Sequence, residues 1–184
     1  QPWPLNCRTV QAQKNQHIRA CNIKSAKDFN VEPEIMTMAK TLGNGAPVGA
    51  TIATNEVADS LKGLTISTFG GNPVSTMAAL ATIDVIISEE IVHNSEVVGA
   101  HMVNRLNELK ELFPVIGDVR GMGLMQALEL VWEGKQPATD AVNQIFEETK
   151  RRGLLVGKGG LSGNIIRITP PMNVSTTDID RAID

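Results

Sequence analysis

The sequence contains no tyrosine, and phenylalanine and tryptophan bring its aromatic content to only 3% of 184 residues. Base-stacking recognition of nucleic acid and aromatic sugar platforms both depend on such rings, so neither is suggested. The formal net charge of -3 argues the same way, because a polyanion partner would call for a basic surface. Cysteine is equally scarce. Cys7 and Cys21 are too few and too far apart for a metal knuckle or a disulfide scaffold, which makes a reducing compartment the default. The histidines His17, His93 and His101 show no ligand spacing. His93 and His101 are read as solvent-facing or capping residues, and no metal is expected. Apolar runs are interrupted by charges, glycine or proline before they approach the length of a membrane-spanning helix, so no membrane role is expected.

What the sequence does have is 42% hydrophobic residues, enough for a real core, and a lone lysine in an informative place. In PEIMTMAKTLGNGAPVGATIAT, residues 33 to 54, Ile35, Met36, Met38 and Ala39 read as a short buried strand. Gly43-Asn44-Gly45 reads as a tight turn and Val48 to Ala53 as a second apolar strand. Lys40 therefore sits where an element ends. An ammonium at the edge of an apolar layer pays a desolvation cost that favours the neutral, nucleophilic amine, and such an amine can form a Schiff base. The alternative is a lysine that snorkels to solvent from a strand end, and position alone does not separate the two.

Beyond Asn30, short apolar strands alternate with longer amphipathic helices, the pattern of an α/β or α+β architecture. One helix is expected from Asn72 and Pro73 through Ile87, largely buried because Ala, Met, Leu and Ile dominate it. A second runs from about Ser95 to Phe113 with Val98, Met102, Leu106, Leu109 and Phe113 as its apolar stripe. Val115 to Val131 reads as strand, turn and strand, broken at Gly121 and Gly123. A third helix follows, capped by Thr139 or Asp140, with Val142, Ile145, Phe146 and Thr149 facing inward and Gly153 ending it. Leu154 to Val156 and Asn164 to Thr169 are expected as strands, and a final helix begins at Thr176-Thr177-Asp178. A domain boundary is placed near residue 90.

The glycine-rich loops do not match nucleotide fingerprints: Gly43-Asn44-Gly45 and Gly157-Lys158-Gly159-Gly160 are both read as turns. STFGGNPV, residues 67 to 74, places a hydroxyl and several free backbone amides before a helix N-terminus, which is anion-binding chemistry, although a simple helix cap would look the same. In GNIIRITPP the period-two alternation sets Ile165, Arg167 and Thr169 on one face and Ile166 and Ile168 on the other. A guanidinium at 167 is expected half-buried, either paired with a structural acid or holding a ligand carboxylate through two parallel hydrogen bonds, with the structural pair favoured on these residues alone.

Taken together and in order, these segments resemble a known family. PEIMTMAKTLGNGAPVGA is similar to the cofactor-lysine motif of the class III pyridoxal-phosphate aminotransferases, TFGGNP to their phosphate-contacting turn, and GDVRGMGLM to the opening of their small domain. The resemblance runs from about Asn30 to the end, 155 of 184 residues. Within the family, GKGG with GNIIRITPP most resembles the alanine:glyoxylate aminotransferases of the mitochondrial, plant-like type.

The fold implied is α/β, the C-terminal part of a fold type I PLP-transferase large domain (residues 30 to 90) followed by a smaller α+β domain (residues 91 to 184). The activity implied is transfer of an amino group from alanine to glyoxylate, giving pyruvate and glycine. By the same resemblance, Lys40 is the catalytic lysine that binds pyridoxal 5'-phosphate and moves a proton from the substrate Cα. Thr68 contacts the cofactor phosphate of the neighbouring subunit of a homodimer, and Arg167 holds the substrate α-carboxylate. Amino-acid and oxo-acid substrates are the implied small-molecule partners, and a mitochondrial location is implied as well.

Residues 1 to 29 depart from the family. Residues 1 to 27 carry five basic side chains (Arg8, Lys14, Arg19, Lys24 and Lys27) and no acidic one. They read as a disordered leader unlike a clear transit segment, or as a piece of a longer or wrongly joined chain. The family's Asp-Glu-Val-Gln motif, whose acid keeps the pyridine nitrogen protonated, is absent, and Asp28 is too close to Lys40 to replace it. Two alternatives stay open: a truncated, inactive relative, and a class III enzyme acting on an ω-amino donor.

Overall fold

A computed structural model describes residues 32–63 and 66–184, which divide between Glu90 and Ile91 into two compact units. The expected leader, both cysteines and His17 lie outside the described residues.

In the first unit, β1 (Ile35–Met38) pairs antiparallel with β2 (Ala50–Ala53), from Ile35 opposite Ala53 to Met38 opposite Ala50. A 3-10 turn over Lys40–Gly43 connects them and ends on Asn44, whose φ of 46° is left-handed. The strands are shorter and wetter than expected: Ile35 is 54% exposed, and β2 begins at Ala50. Thr54 then caps a short helix α1 (Asn55–Ser60), which the sequence reading missed, its hydroxyl accepting from the Val57 amide at 3.4 Å.

Helix α2 (Pro73–Ser88) starts as its residues dictate, with Pro73 in the first turn and Asn72 Oδ1 accepting from the Ser75 amide at 3.0 Å. It packs on the 3-10 turn that carries Lys40. The expected burial of this helix does not hold. Ser75 and Ala79 are its buried residues, while Val74 and Met77 are 79% and 60% exposed. A two-stranded hairpin and one turn offer too little surface to cover a helix that is apolar on all sides.

In the second unit a four-stranded antiparallel sheet has the order β3-β4-β6-β5, built from β3 (Ile116–Met122), β4 (Met125–Leu130), β6 (Ile165–Ile168) and β5 (Gly157–Gly159). Helices α3 (Ile91–Leu112) and α4 (Thr139–Arg151) pack on the sheet, and α5 (Thr176–Ile183) packs on α3. The core joins Val98, Met102 and Leu106 of α3 to Leu128 and Leu130 of β4, Val142 of α4, Ile166 of β6 and Ile179 of α5. The expected stripe on α3 is present through Leu106; Leu109 is half-buried, and Phe113 falls beyond the helix and is 53% exposed. Leu106 is 1% exposed, so Leu106→Ala leaves a cavity and lowers stability by about 3 kcal/mol, read from the denaturant midpoint of unfolding.

Three local expectations need correction. Leu154 to Val156 runs unpaired, and strand β5 lies instead in the glycine run read as a turn. Neither Thr139 nor Asp140 caps α4: Ala138 holds that position, the Thr139 hydroxyl donates to the Ser162 carbonyl at 2.6 Å, and Asp140 accepts from the Trp132 indole at 3.1 Å. His101 is not a cap, and it is part-buried rather than freely solvent-facing: its Nε2 lies 2.7 Å from Asp180 Oδ1, which also accepts from Arg105 Nε at 3.1 Å.

This cluster ties α5 to α3. The hydrogen bond from His101, followed by the charges of His101 and Arg105, holds the Asp180 carboxyl below its ordinary value of 3.8. A carboxyl depressed in the folded state stabilises above its unfolded value, and that contribution is lost as pH falls through the lower, folded value. Asp180→Asn is therefore destabilising at pH 7 and progressively less so below about pH 4, a convergence measurable by thermal unfolding across that range.

Candidate active site

Lys40 follows the end of β1. Ala39 is still extended at φ -157°, and Lys40 then turns into the left-handed region at φ 61°. A side chain with a Cβ is disfavoured there by roughly 1–2 kcal/mol, and such strain persists only where the surroundings impose it. Gly43, three residues on, is buried, and a Cβ there would sit 2.8 Å from Val48 Cγ1, so the turn packs closely on the segment that leads into β2. Lys40 itself is exposed, so the desolvating apolar layer expected around it is not supplied by the described residues. No acid among the described residues forms an ion pair with it.

Thr68 lies in the turn that feeds α2 and is exposed. The turn is closed by the Gly70 amide donating to the Ser67 carbonyl at 3.2 Å and the Asn72 amide to the Phe69 carbonyl at 3.3 Å. Both glycines are required. A Cβ at Gly70 would approach Ser67 Cβ to 2.8 Å, and Gly71 adopts φ 70°. The expected run of free amides is shorter than foreseen: those of Gly70 and Asn72 close the turn, and that of Ser75 is taken by the Asn72 cap. The Thr68 hydroxyl makes no hydrogen bond to another described residue.

Arg167 stands in the second unit, in the middle of β6, opposite Ala127 of β4 on one side and Gly157 of β5 on the other. The alternation expected for this strand is observed. Ile166 is 4% exposed and joins the core, and Arg167 lies on the opposite, outer face. The guanidinium is exposed rather than half-buried, because neither α3 nor α4 covers that face of the sheet.

The structural acid pair favoured for Arg167 is also not formed among the described residues. The reason lies two strands away. Arg120 of β3, also directed to the outer face, donates to Asp118 Oδ2 at 2.7 Å and Glu129 Oε2 at 2.6 Å. The hydrogen bond from Arg120 holds the Asp118 carboxyl below its usual range against the opposing effect of burial. Both carboxylates of this patch are thus taken, and Arg167 keeps a free bidentate fork. Nothing in the residue pattern around Arg120 announced this division of labour between two arginines.

Comparison with known proteins identifies the family. Residues 22–184 match the family described as "Aminotransferase class-III". Alanine--glyoxylate aminotransferase 2 homolog 2, mitochondrial, of Arabidopsis thaliana is 44% identical over 169 residues, covering 90% of this chain and 35% of that protein. A leucine/methionine racemase of Thermococcus litoralis is 38% identical over 159 residues, covering 85% of this chain and 35% of that protein.

Among solved structures, an amine transaminase from an uncultivated Pseudomonas species, in its PLP-bound form, matches with a TM-score of 0.76 and 32% identity over 86% of this chain and 38% of that one. The chain thus spans about a third of the length of the relatives it matches. The fold is accordingly that of the PLP-dependent aminotransferases, with the expected mixture of helix and sheet. This chain belongs to the class III aminotransferases.

Proposed function

We propose that this chain carries the cofactor lysine and the substrate-carboxylate arginine of a pyridoxal-phosphate-dependent transaminase that converts alanine and glyoxylate into pyruvate and glycine. The observation that carries the reading is the backbone of Lys40, a non-glycine residue held at φ 61° between a strand end and a glycine-locked turn. The alanine and glyoxylate assignment draws on the name of the Arabidopsis relative, as does the mitochondrial location.

The donor set fits the cofactor at two of its ends. Lys40 offers a primary amine with no acid partner among the described residues, suited to the carbonyl carbon, and Thr68 offers an unengaged hydroxyl suited to a phosphate oxygen. The acid that would partner the ring nitrogen has no counterpart motif in this sequence. When bound, pyridoxal phosphate supplies an electron sink for the pair left at the substrate Cα.

The rest of the chemistry falls to the chain's own residues. Lys40 Nζ takes the proton from the substrate Cα as general base and, as general acid, would deliver it to the aldehyde carbon of the bound cofactor. Arg167 grips the α-carboxylate through two parallel N–H donors. Thr68 anchors the phosphate of the cofactor in a neighbouring subunit, which makes the working unit a homodimer. Residues 30–90 then form the closing part of the cofactor-binding domain and 91–184 the small domain.

A second reading, as a racemase, draws on the 38% identity to the leucine/methionine enzyme; it shares the removal of the Cα proton but returns a proton to the opposite face of the same Cα. The two are separated by incubating the full-length protein and pyridoxal phosphate with L-alanine and glyoxylate, L-leucine, and ornithine or 4-aminobutyrate in turn. Pyruvate and glycine formed in equal amounts from alanine support the proposal. Appearance of D-leucine without oxo-acid supports the racemase, and turnover of the ω-amines alone overturns the substrate assignment.

A further inference from the structure

Strand β5 consists of Gly157, Lys158 and Gly159, a composition that disfavours a strand unless a close approach demands glycine. At Gly157 it does. This residue is the direct cross-strand partner of Arg167, and β5 is the edge of the sheet. A Cβ built on Gly157 would lie 3.1 Å from Arg167 Nε, 3.4 Å from Nη2 and 3.4 Å from Cβ. The arginine side chain therefore leans across the edge strand, over the bare Cα of Gly157. That places its fork away from Glu129, on the neighbouring strand β4, which Arg120 occupies.

Two residues along β5, on the same face, Gly159 is the partner of Ile165, and a Cβ there would meet nothing within 4 Å. Neither glycine adopts the left-handed backbone, so alanine suits the main chain at both positions.

We infer that Gly157 is a positioning residue: its missing side chain sets the angle at which Arg167 presents its guanidinium, and thereby the affinity for an α-carboxylate. The inference rests on the reading of Arg167 as the carboxylate-binding residue. A methyl group at 157 must push Nε aside by a few tenths of an ångström, which swings a planar fork whose two donors have to meet two oxygens together.

The test uses the full-length enzyme with pyridoxal phosphate and compares Gly157→Ala, Gly159→Ala and Arg167→Gln. The readouts are KM and kcat for alanine and the inhibition constant of propionate, which offers a carboxylate without an amine. The expected result for Gly157→Ala is a rise of about tenfold in both KM and the propionate constant with kcat within about twofold, whereas Gly159→Ala matches the parent enzyme.

Equal effects of the two alanines, or a loss confined to kcat, would reduce Gly157 to a structural residue and overturn the inference. An unchanged Gly157→Ala beside a crippled Arg167→Gln would overturn it while leaving the carboxylate role of Arg167 standing. An unchanged Arg167→Gln would remove that role and the inference with it.

Discussion

Lys40→Ala in the full-length protein is expected to lower transamination by about 10^4-fold, because in the proposed mechanism one amine both holds the cofactor and moves the Cα proton. The fall should appear in kcat and kcat/KM alike, since the interaction lost is one made during the reaction and not in substrate binding. Stability should respond in a second, separable way. Lys40 sits at φ 61°, so Lys40→Gly relieves a strained backbone and is expected to raise stability by about 1 kcal/mol relative to Lys40→Ala, which keeps the strain. A gain in stability together with a loss of activity at one position is the signature of strain retained for function. Equal stability of the two variants would mean that the left-handed backbone costs nothing, and the structural support for Lys40 would fall away.

The next largest effect is expected at Arg167. Removing the guanidinium with Arg167→Gln takes away the two parallel hydrogen bonds proposed to hold the carboxylate, and KM for alanine should rise about 100-fold or more. Arg167→Lys is expected to recover little, since a point charge on a flexible stem does not reproduce the planar fork. Arg120 provides the contrast. It is committed to Asp118 and Glu129, so Arg120→Gln should disturb the sheet and leave KM close to the parent value. If Arg120→Gln raised KM as much as Arg167→Gln, the free arginine would have been misidentified, and a carboxylate role for Arg167 would be contradicted.

The residues that announce themselves in the sequence are those whose signal is local. Asn72 and Pro73 mark the start of α2 because an amide oxygen and a fixed φ act within one turn of helix. The apolar stripe of α3 and the alternation of Ile166 and Arg167 follow from periodicities of 3.6 and 2. The features that stayed hidden depend on distant partners. Strand β5 is invisible in a glycine run because its reason is a side chain ten residues further on in another strand. The exposure of α2 was missed for a related cause: composition reports that a helix is apolar, and only the neighbouring elements decide how much of it is covered.

The site shows the same division. That a lysine stands at an element boundary is legible; that its backbone is left-handed is not, because lysine gives no sign of it. That Arg167 lies on one face of a strand is legible too. Whether an acid claims it depended on Arg120, Asp118 and Glu129, which alternation places on one face of the sheet without saying who pairs with whom.

The most direct test of the central claim is to reduce the full-length protein with borohydride in the presence of pyridoxal phosphate and map the trapped cofactor by peptide mass. Stoichiometric labelling confined to the peptide containing Lys40, and lost in Lys40→Ala, is the result predicted here. Labelling centred on any other lysine, or spread evenly over several with Lys40 unmarked, would contradict it.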